Sequence, residues 1–334
     1  MENKKVNVAV LGCGYWGKNL VRNFRDLGAL KLVCDVSESG RTKAEEMAPE
    51  VERTTSFSGV FERSDIDAVV LATPAETHES LALEAIEAGK DVYVEKPMAL
   101  NVNQGRRMLA KSREYDRILM VGHILEYHPA VLRLGELIDQ GELGDVRYVF
   151  SNRLNFGKIR TEENALWSFA PHDIAVILRL VGEQPSEVTC VGGTYITSGL
   201  ADVTVSCMEF ASGPRAHVFV SWLNPFKEQK LVVVGSRKMA VFNDLSQDQK
   251  LTLYDQRVDV DQNQPMLCRG ESEVIAIEAK EPLREECSHF LDCVRERKTP
   301  LTDGANGLAV LRVLEACQNS LGNKGTPVSV KESS

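Results

Sequence analysis

The residues best suited to chemistry lie in a few short stretches. The turn Gly12-Cys13-Gly14-Tyr15-Trp16-Gly17 follows the apolar run Val6–Leu11 and precedes a helical pattern. In that setting Gly12 permits a tight turn, Gly14 lets the backbone approach a pyrophosphate, and Gly17 lets the helix pack close to its strand. The phosphates would rest on the helix start near Tyr15 and Trp16, against free N–H groups and the positive end of the dipole. Asp35 ends the next apolar run, roughly 20 residues on, where a carboxylate accepts hydrogen bonds from ribose hydroxyls. An acid there repels a 2′-phosphate and favours NAD over NADP, with Arg41 close enough to counter that preference.

Further candidates lie at the ends of later apolar runs. Ala72-Thr73-Pro74 closes one run, and His78 follows at a helix start. Glu95-Lys96-Pro97 closes another, with proline restricting the backbone of Lys96 and so where its side chain emerges. A lysine at such an edge is ordinarily a solvated charge, but its place beside an acid and a proline makes it a candidate acid–base group. His123 ends the last run of this half, either lining the crevice or serving as a hydrogen-bonded hinge; Tyr127 and His128 follow, to face a substrate or simply to pack. In the second half, Trp167-Ser168-Phe169-Ala170-Pro171-His172-Asp173 is read as leading into a helix that His172 opens. An imidazole there can take an alcohol proton as hydride leaves the carbon. Its competing reading is a helix-start residue bonded to backbone, with Asp173 favouring the dipole.

The elements needed to position these residues follow from periodicity. Runs at Val6–Leu11, Leu30–Val36, Asp67–Thr73, Asp91–Glu95 and Ile118–Gly122 alternate with helical stretches such as Lys18–Leu27, Glu76–Ala88 and Asn101–Tyr115. That alternation predicts a doubly wound parallel sheet. After a helix over Pro129–Gln140, consecutive strand patterns occupy Gly144–Asn155, Glu187–Tyr195, Ala201–Phe210, Arg215–Trp222, Gln229–Val234 and Lys238–Asn243, and they predict an antiparallel sheet. Helices over Leu283–Arg297 and Gly304–Leu321 end the pattern. The expected division is a Rossmann domain over residues 1–123 and an α+β domain over 124–334.

Bulk properties narrow the function classes. At 334 residues with net charge −9, the chain suits two domains and lacks the basic face that nucleic-acid binding needs. No run has the length of a membrane span, and the opening residues lead into a strand rather than a signal segment. The eight cysteines are scattered without a Cys-x-x-Cys pair, which predicts a reducing cytoplasm. The six histidines do not cluster in sequence, so no metal is expected.

Taken together, the glycine turn, Ala72-Thr73-Pro74 with His78, Glu95-Lys96-Pro97, Gly122-His123, His172, and Asp303-Gly304 with Gly307-Leu308 resemble the Gfo/Idh/MocA family, the glucose–fructose oxidoreductase and inositol dehydrogenase group. The resemblance covers nearly the whole chain. It implies an N-terminal Rossmann domain binding NAD, and a C-terminal domain with a large open-faced, mainly antiparallel sheet. It also implies Lys96 and His172 as the proton-handling pair, Lys96 having its pKa lowered by burial beside oxidised nicotinamide. A homodimer or homotetramer through the C-terminal sheet is a further implication. Thr73, Pro74, His78, Glu95, Lys96 and His123 join the glycine turn, Asp35 and Arg41 as the implied cofactor set.

The chain departs from the family pattern at Ser168, where an aspartate commonly stands four residues before the histidine, and at Ala170, commonly glycine. Arg153-Leu154-Asn155, Glu163–Trp167 and Pro171–Asp173 are similar to members tied to sugar-nucleotide and surface-polysaccharide pathways. That similarity implies a secondary alcohol on a sugar or UDP-sugar, such as an N-acetylated or uronic-acid hexose. Tyr127, Arg153, Asn155, Trp167, His172 and Asp173 are then the substrate candidates, with Lys158 and Arg160 as further anion contacts or solvated strand-edge charges. A free-sugar or inositol dehydrogenase is the alternative within the enzyme class. A non-catalytic NAD-dependent sensor is the alternative outside it.

Overall fold

The apolar run before the glycine turn becomes β1 (Val8–Leu11), buried along its whole length. In this computed structural model, which describes residues 5–330, the chain continues through α1 (Gly17–Asp26), β2 (Leu30–Cys34), α2 (Glu38–Met47) and β3 (Glu52–Thr54). It then forms α3 (Phe57–Phe61), β4 (Ala68–Leu71), α4 (His78–Glu87), β5 (Asp91–Glu95), α5 (Val102–Glu114) and β6 (Leu119–Gly122). These strands make a six-stranded parallel sheet in the order β3-β2-β1-β4-β5-β6. Helices cover strands of this kind on both faces, which is why they are continuous valine, leucine and alanine runs rather than alternating ones. The strand order reverses between β1 and β4, the switch point outside whose carboxyl ends open parallel sheets bind their ligands. The segment α2-β3-α3 was not anticipated; β3 is a three-residue, polar edge strand with no hydrophobic period to find.

Beyond β6 the chain forms α6 (Pro129–Asp139), β7 (Val146–Phe156), α7 (Ala165–Val181), β8 (Pro185–Gly193), β9 (Val203–Phe210), β10 (Arg215–Ser221) and β11 (Leu223–Gly235). There follow β12 (Met239–Asn243), β13 (Leu251–Asp261), β14 (Gln264–Val274), α8 (Pro282–Glu296), α9 (Gly304–Gly322) and β15 (Val328–Ser329). The second sheet has nine strands in the order β14-β13-β12-β11-β7-β10-β9-β8-β15, all antiparallel except β10 beside β7. The expected mainly antiparallel sheet is therefore present. The hairpin β13–β14 was not anticipated. Its residues are largely exposed, and it turns through Gln262 and Asn263, both with positive φ, without the glycine that usually marks such a turn.

The single division expected between residues 123 and 124 becomes a discontinuous one. The first compact unit runs to Tyr127 and includes Lys280–Leu311; the second comprises His128–Ala279 and the chain from Arg312. The reason lies in the apolar stripe of α8. Leu283, Cys287, Phe290, Leu291 and Val294 belong to the core of the parallel sheet, and Phe290 meets Phe24 and Tyr93 edge-on at 6.4 and 5.7 Å between ring centroids. Thr302 accepts the Val121 N–H at 2.8 Å, continuing the pairing beyond β6.

The second unit stacks α7 on its sheet, and the register of β7 decides what meets it. Ser151 and Arg153 of β7 reach Asp173 in the middle of α7. The Arg153 Nε and Nη2 donate to Asp173 Oδ2 and Oδ1 at 2.7 and 3.1 Å, and the Ser151 hydroxyl donates to Oδ1 at 2.6 Å. Both charged groups are almost wholly buried, so the fork geometry offsets the cost of removing them from water. Replacing Asp173 by Asn leaves the buried guanidinium without its counter-charge. Thermal or denaturant unfolding of that variant should show a loss of about 3–5 kcal/mol. The double variant Arg153→Met/Asp173→Leu should lose less than the sum of the two single changes.

Candidate active site

The carboxyl ends of β1, β2, β4, β5 and β6 share one edge of the first sheet, and most of the sequence candidates stand there. Gly12 has φ +94°, and a Cβ on it would lie 2.7 Å from the Ala72 carbonyl oxygen. A Cβ on Gly17 would lie 2.1 Å from the Gly12 carbonyl oxygen, so this glycine allows α1 to start against the turn. Gly14 meets nothing within 4 Å, so no contact within the chain calls for a glycine there. A ligand lying on the backbone would. The helix that follows has no side-chain cap, whereas Ser37, Ser56 and Asn101 cap α2, α3 and α5. An open Gly14 before an uncapped helix fits a dinucleotide pyrophosphate. The helix begins at Gly17 rather than at Tyr15; Tyr15 is 85% exposed and Trp16 38% exposed on the turn itself.

Asp35 stands just beyond β2 and binds the turn from below. Its Oδ2 accepts the Cys13 N–H at 2.6 Å, and its Oδ1 accepts the N–H and hydroxyl of Ser37 at 2.8 and 2.7 Å. Burial alone would raise its pKa, but these donors and the Arg41 charge together hold it below the usual value. Arg41 donates to the carbonyl oxygens of Asp35 and Val36 at 3.1 and 3.0 Å. Gly40 is glycine for a related reason, since a Cβ there would lie 2.1 Å from the Asp35 carboxylate.

Glu95 ends β5 as a buried carboxylate with several donors. Its Oε1 accepts the Trp16 indole N–H at 2.6 Å and the Tyr93 hydroxyl at 3.3 Å; its Oε2 accepts the Lys96 N–H at 3.1 Å. The glycine turn and the Lys96 segment thus share one acid. The Lys96–Pro97 peptide is cis. His78 is buried rather than open to a ligand: its Nδ1 lies 2.9 Å from the Pro97 carbonyl oxygen and its Nε2 2.9 Å from that of Thr73. It clamps the ends of β4 and β5 together, and burial pulls its pKa down. Thr73 and Thr77 hydroxyls meet at 2.7 Å in the turn between Pro74 and α4.

His123 is buried at the end of β6, and neither ring nitrogen has a hydrogen-bond partner among the described residues. Burial first, and then the Lys96 charge, push its pKa down to about 3, so the ring is neutral. Tyr127 is not open to a ligand; it is buried, with its hydroxyl 2.9 Å from that of Thr302. Among the described residues no group of three or more histidine, cysteine, aspartate or glutamate side chains is arranged to hold a metal. No helix among them is long and apolar enough to cross a membrane. The residues Met1–Lys4, on which the expectation about a signal segment rested, lie outside the described ones.

In the second unit the expectation that His172 opens a helix is overturned. α7 starts after Asn164, whose side chain accepts the Trp167 N–H at 3.1 Å, and His172 stands in its middle, directly after Pro171. Proline is favoured in the first turn of a helix. Here it is interior and removes the N–H that would serve the Trp167 carbonyl. Asp173 therefore has no dipole role, and with Arg153 it is consumed in their mutual ion pair. The Trp167 indole donates to Gln318 Oε1 at 3.1 Å, as does the Asn164 amide at 2.8 Å. Asn155 carries a buried Oδ1 with no partner among the described residues. Ser151, Tyr93, Gln318 and Glu286 were not singled out from sequence. Glu286 alone left a signal, an acid on the apolar stripe of α8.

Comparison with known proteins agrees with this architecture. Residues 6–123 match an oxidoreductase family with an NAD-binding Rossmann fold, and residues 131–241 match the GFO/IDH/MocA C-terminal domain. The scyllo-inositol 2-dehydrogenase (NAD(+)) of Bacillus subtilis is 28% identical over 354 residues, covering 99% of this chain and 97% of that protein. UDP-N-acetylglucosamine 3-dehydrogenase of Acidithiobacillus ferrooxidans is 24% identical over 308 residues, covering 92% and 94%. Its solved structure superposes with a TM-score of 0.82 at 23% identity, over 95% of this chain and 97% of that one. Levoglucosan dehydrogenase in complex with NADH and levoglucosan superposes with a TM-score of 0.84 at 20% identity, over 98% of this chain and all (100%) of that one. At such identities the superpositions establish the fold. With the two family models spanning more than half of its length in the expected order, the chain belongs to the Gfo/Idh/MocA family of oxidoreductases.

Proposed function

We propose that this protein is an NAD-dependent dehydrogenase that oxidises a secondary ring hydroxyl of a sugar or sugar nucleotide. The observation that carries the reading is the shared Glu95 carboxylate. It ties the turn that fits a dinucleotide to the backbone of Lys96. When bound, NAD supplies the hydride acceptor. Gly12, Gly14, Tyr15, Trp16 and Gly17 cradle its phosphates, and Asp35 with Arg41 meets the ribose. Thr73, Pro74 and His123 border the reacting end, with His78 and Glu95 holding that border in place.

Lys96 binds and polarises the reacting hydroxyl, and His172 takes its proton as general base. A neutral His123 beside Lys96 adds no second positive charge and leaves two ring nitrogens to serve a bound molecule. Asn155 contributes an unsatisfied acceptor for a sugar hydroxyl, and Lys158 with Arg160 supplies charge for a diphosphate. Arg153 and Asp173 hold β7 to α7 and position His172 rather than contact substrate. Trp167 ties the start of α7 to Gln318, and Tyr127 supports the end of β6 from within. Relatives acting on a UDP-sugar and on an inositol support the substrate class, with UDP-N-acetylhexosaminuronates tested first.

The half-buried aromatic cluster Tyr148, Phe150 and His217 on the second sheet supports a homodimer or homotetramer through that face. Sedimentation of the purified protein should show a single dimeric or tetrameric species that Phe150→Glu dissociates; a monomeric wild type rejects the interface. Turnover is tested by following NADH with UDP-sugars, free hexoses and inositols. Reduction of NAD with a UDP-sugar, abolished in Lys96→Ala while NAD affinity stays nearly intact, is the expected result. Activity confined to free polyols, or failure to bind either nicotinamide cofactor, rejects the assignment. Asp35→Ala should raise the NADP:NAD ratio of kcat/KM by about tenfold, equivalent to roughly 1.4 kcal/mol.

A further inference from the structure

The first unit contains an acid that the proposed reaction does not use. Glu286, on α8, has no exposed surface, and no N–H group among the described residues serves either of its oxygens. The Tyr93 hydroxyl lies between it and Glu95, donating to Glu95 at 3.3 Å and adjoining Glu286. From β5 the groups facing Glu286 are Tyr93 and Glu95, with Lys96 beyond. From the segment after β6 they are Glu126 and Tyr127, and on its own helix Cys287. Arg22 of α1 is occupied by Glu281 at the start of α8, and the Asn306 amide donates to Glu126 at 3.1 Å.

Two carboxylates cannot both stay ionised in so dry a place without a cation between them. Geometry decides which keeps the proton. Burial raises the Glu95 pKa too, but two N–H donors, one O–H donor and the Lys96 charge oppose that rise; Glu286 has only the phenol oxygen, which can accept its O–H. We propose that Glu286 is a positioning residue for Lys96: a neutral carboxyl that donates to Tyr93, so that Tyr93 donates to Glu95 and Glu95 remains the charged partner beneath Lys96. The role given to Lys96 rests on the function proposed above; the protonation of Glu286 does not. Burial, with Glu95 adding to it, raises the Glu286 pKa far above the ordinary value of 4.5.

Infrared difference spectra of the full-length protein test this without turnover. Glu286→Gln should lack a protonated-carboxyl stretching band that the wild type shows at neutral pH. Glu95→Gln should keep that band, and Tyr93→Phe should keep it at a shifted frequency, because the hydrogen bond to the phenol is lost. Persistence of the whole band in Glu286→Gln, or its loss in Glu95→Gln, overturns the assignment. Should the first variant fail to fold, the other two still decide it. Unfolding gives a second readout. Native Glu286 retains its proton at pH values where the unfolded glutamate has lost it, so the wild type loses stability as pH rises. The melting temperature of Glu286→Gln relative to wild type should therefore climb between about pH 5 and 8; a flat difference contradicts the proposal. With an active substrate, Tyr93→Phe should move the acid limb of kcat/KM to higher pH, since the charged form of Glu95 loses a donor. An unchanged limb, with the infrared result intact, removes the positioning role and leaves only the buried proton.

Discussion

One buried carboxylate organises the first unit. Glu95 has been withdrawn from water, and a charge so placed persists only where donors replace its hydration. Those donors come from different parts of the chain: the indole of Trp16 in the glycine turn, the phenol of Tyr93 two residues back, and the N–H of Lys96. The demand of a single acid therefore brings the dinucleotide turn and the lysine segment into one arrangement. It also limits the neighbouring strand, because a Cβ at Gly122 would lie 2.9 Å from the Tyr93 hydroxyl and 3.1 Å from the Glu95 carboxyl.

The second unit meets the same requirement with a different device. Arg153 and Asp173 are buried as a forked pair, with Ser151 using a further lone pair of the acid. Such a pair adds little net stability against an apolar substitute, but its directional bonds define how the helix sits on the strand. His172 lies next to Asp173 in sequence, so its backbone is set by that contact. In each unit a candidate proton-handling side chain thus neighbours a buried acid whose hydrogen bonds define the local backbone.

Family membership establishes an oxidoreductase scaffold, but substrate choice depends on side chains that differ within one scaffold. In this chain Ser168 replaces the commonly acidic position, and the acid nearest His172 in sequence is already committed to Arg153. Asp173 therefore does not substitute for the missing carboxylate.

What the sequence determined by itself was local. Continuous apolar runs identify β1, β2, β4, β5 and β6, because parallel strands are buried on both faces. The glycine spacing marks the turn, because only glycine tolerates the φ of Gly12 and the contact of Gly17. Alternation marks most strands of the second sheet. It does not mark β13 and β14, which bury too little to impose a pattern, or β3, which is short and polar. The return of α8 to the first core, the mid-helix place of His172 and the pairing of Arg153 with Asp173 were decided only in three dimensions. So were the burial of His78 and Tyr127 and the confrontation of Glu286 with Glu95. Periodicity reports which face of an element is apolar; it does not report which distant element covers that face. The partner of a buried charge, and therefore its protonation and its use, is settled only when the tertiary fold excludes water around it.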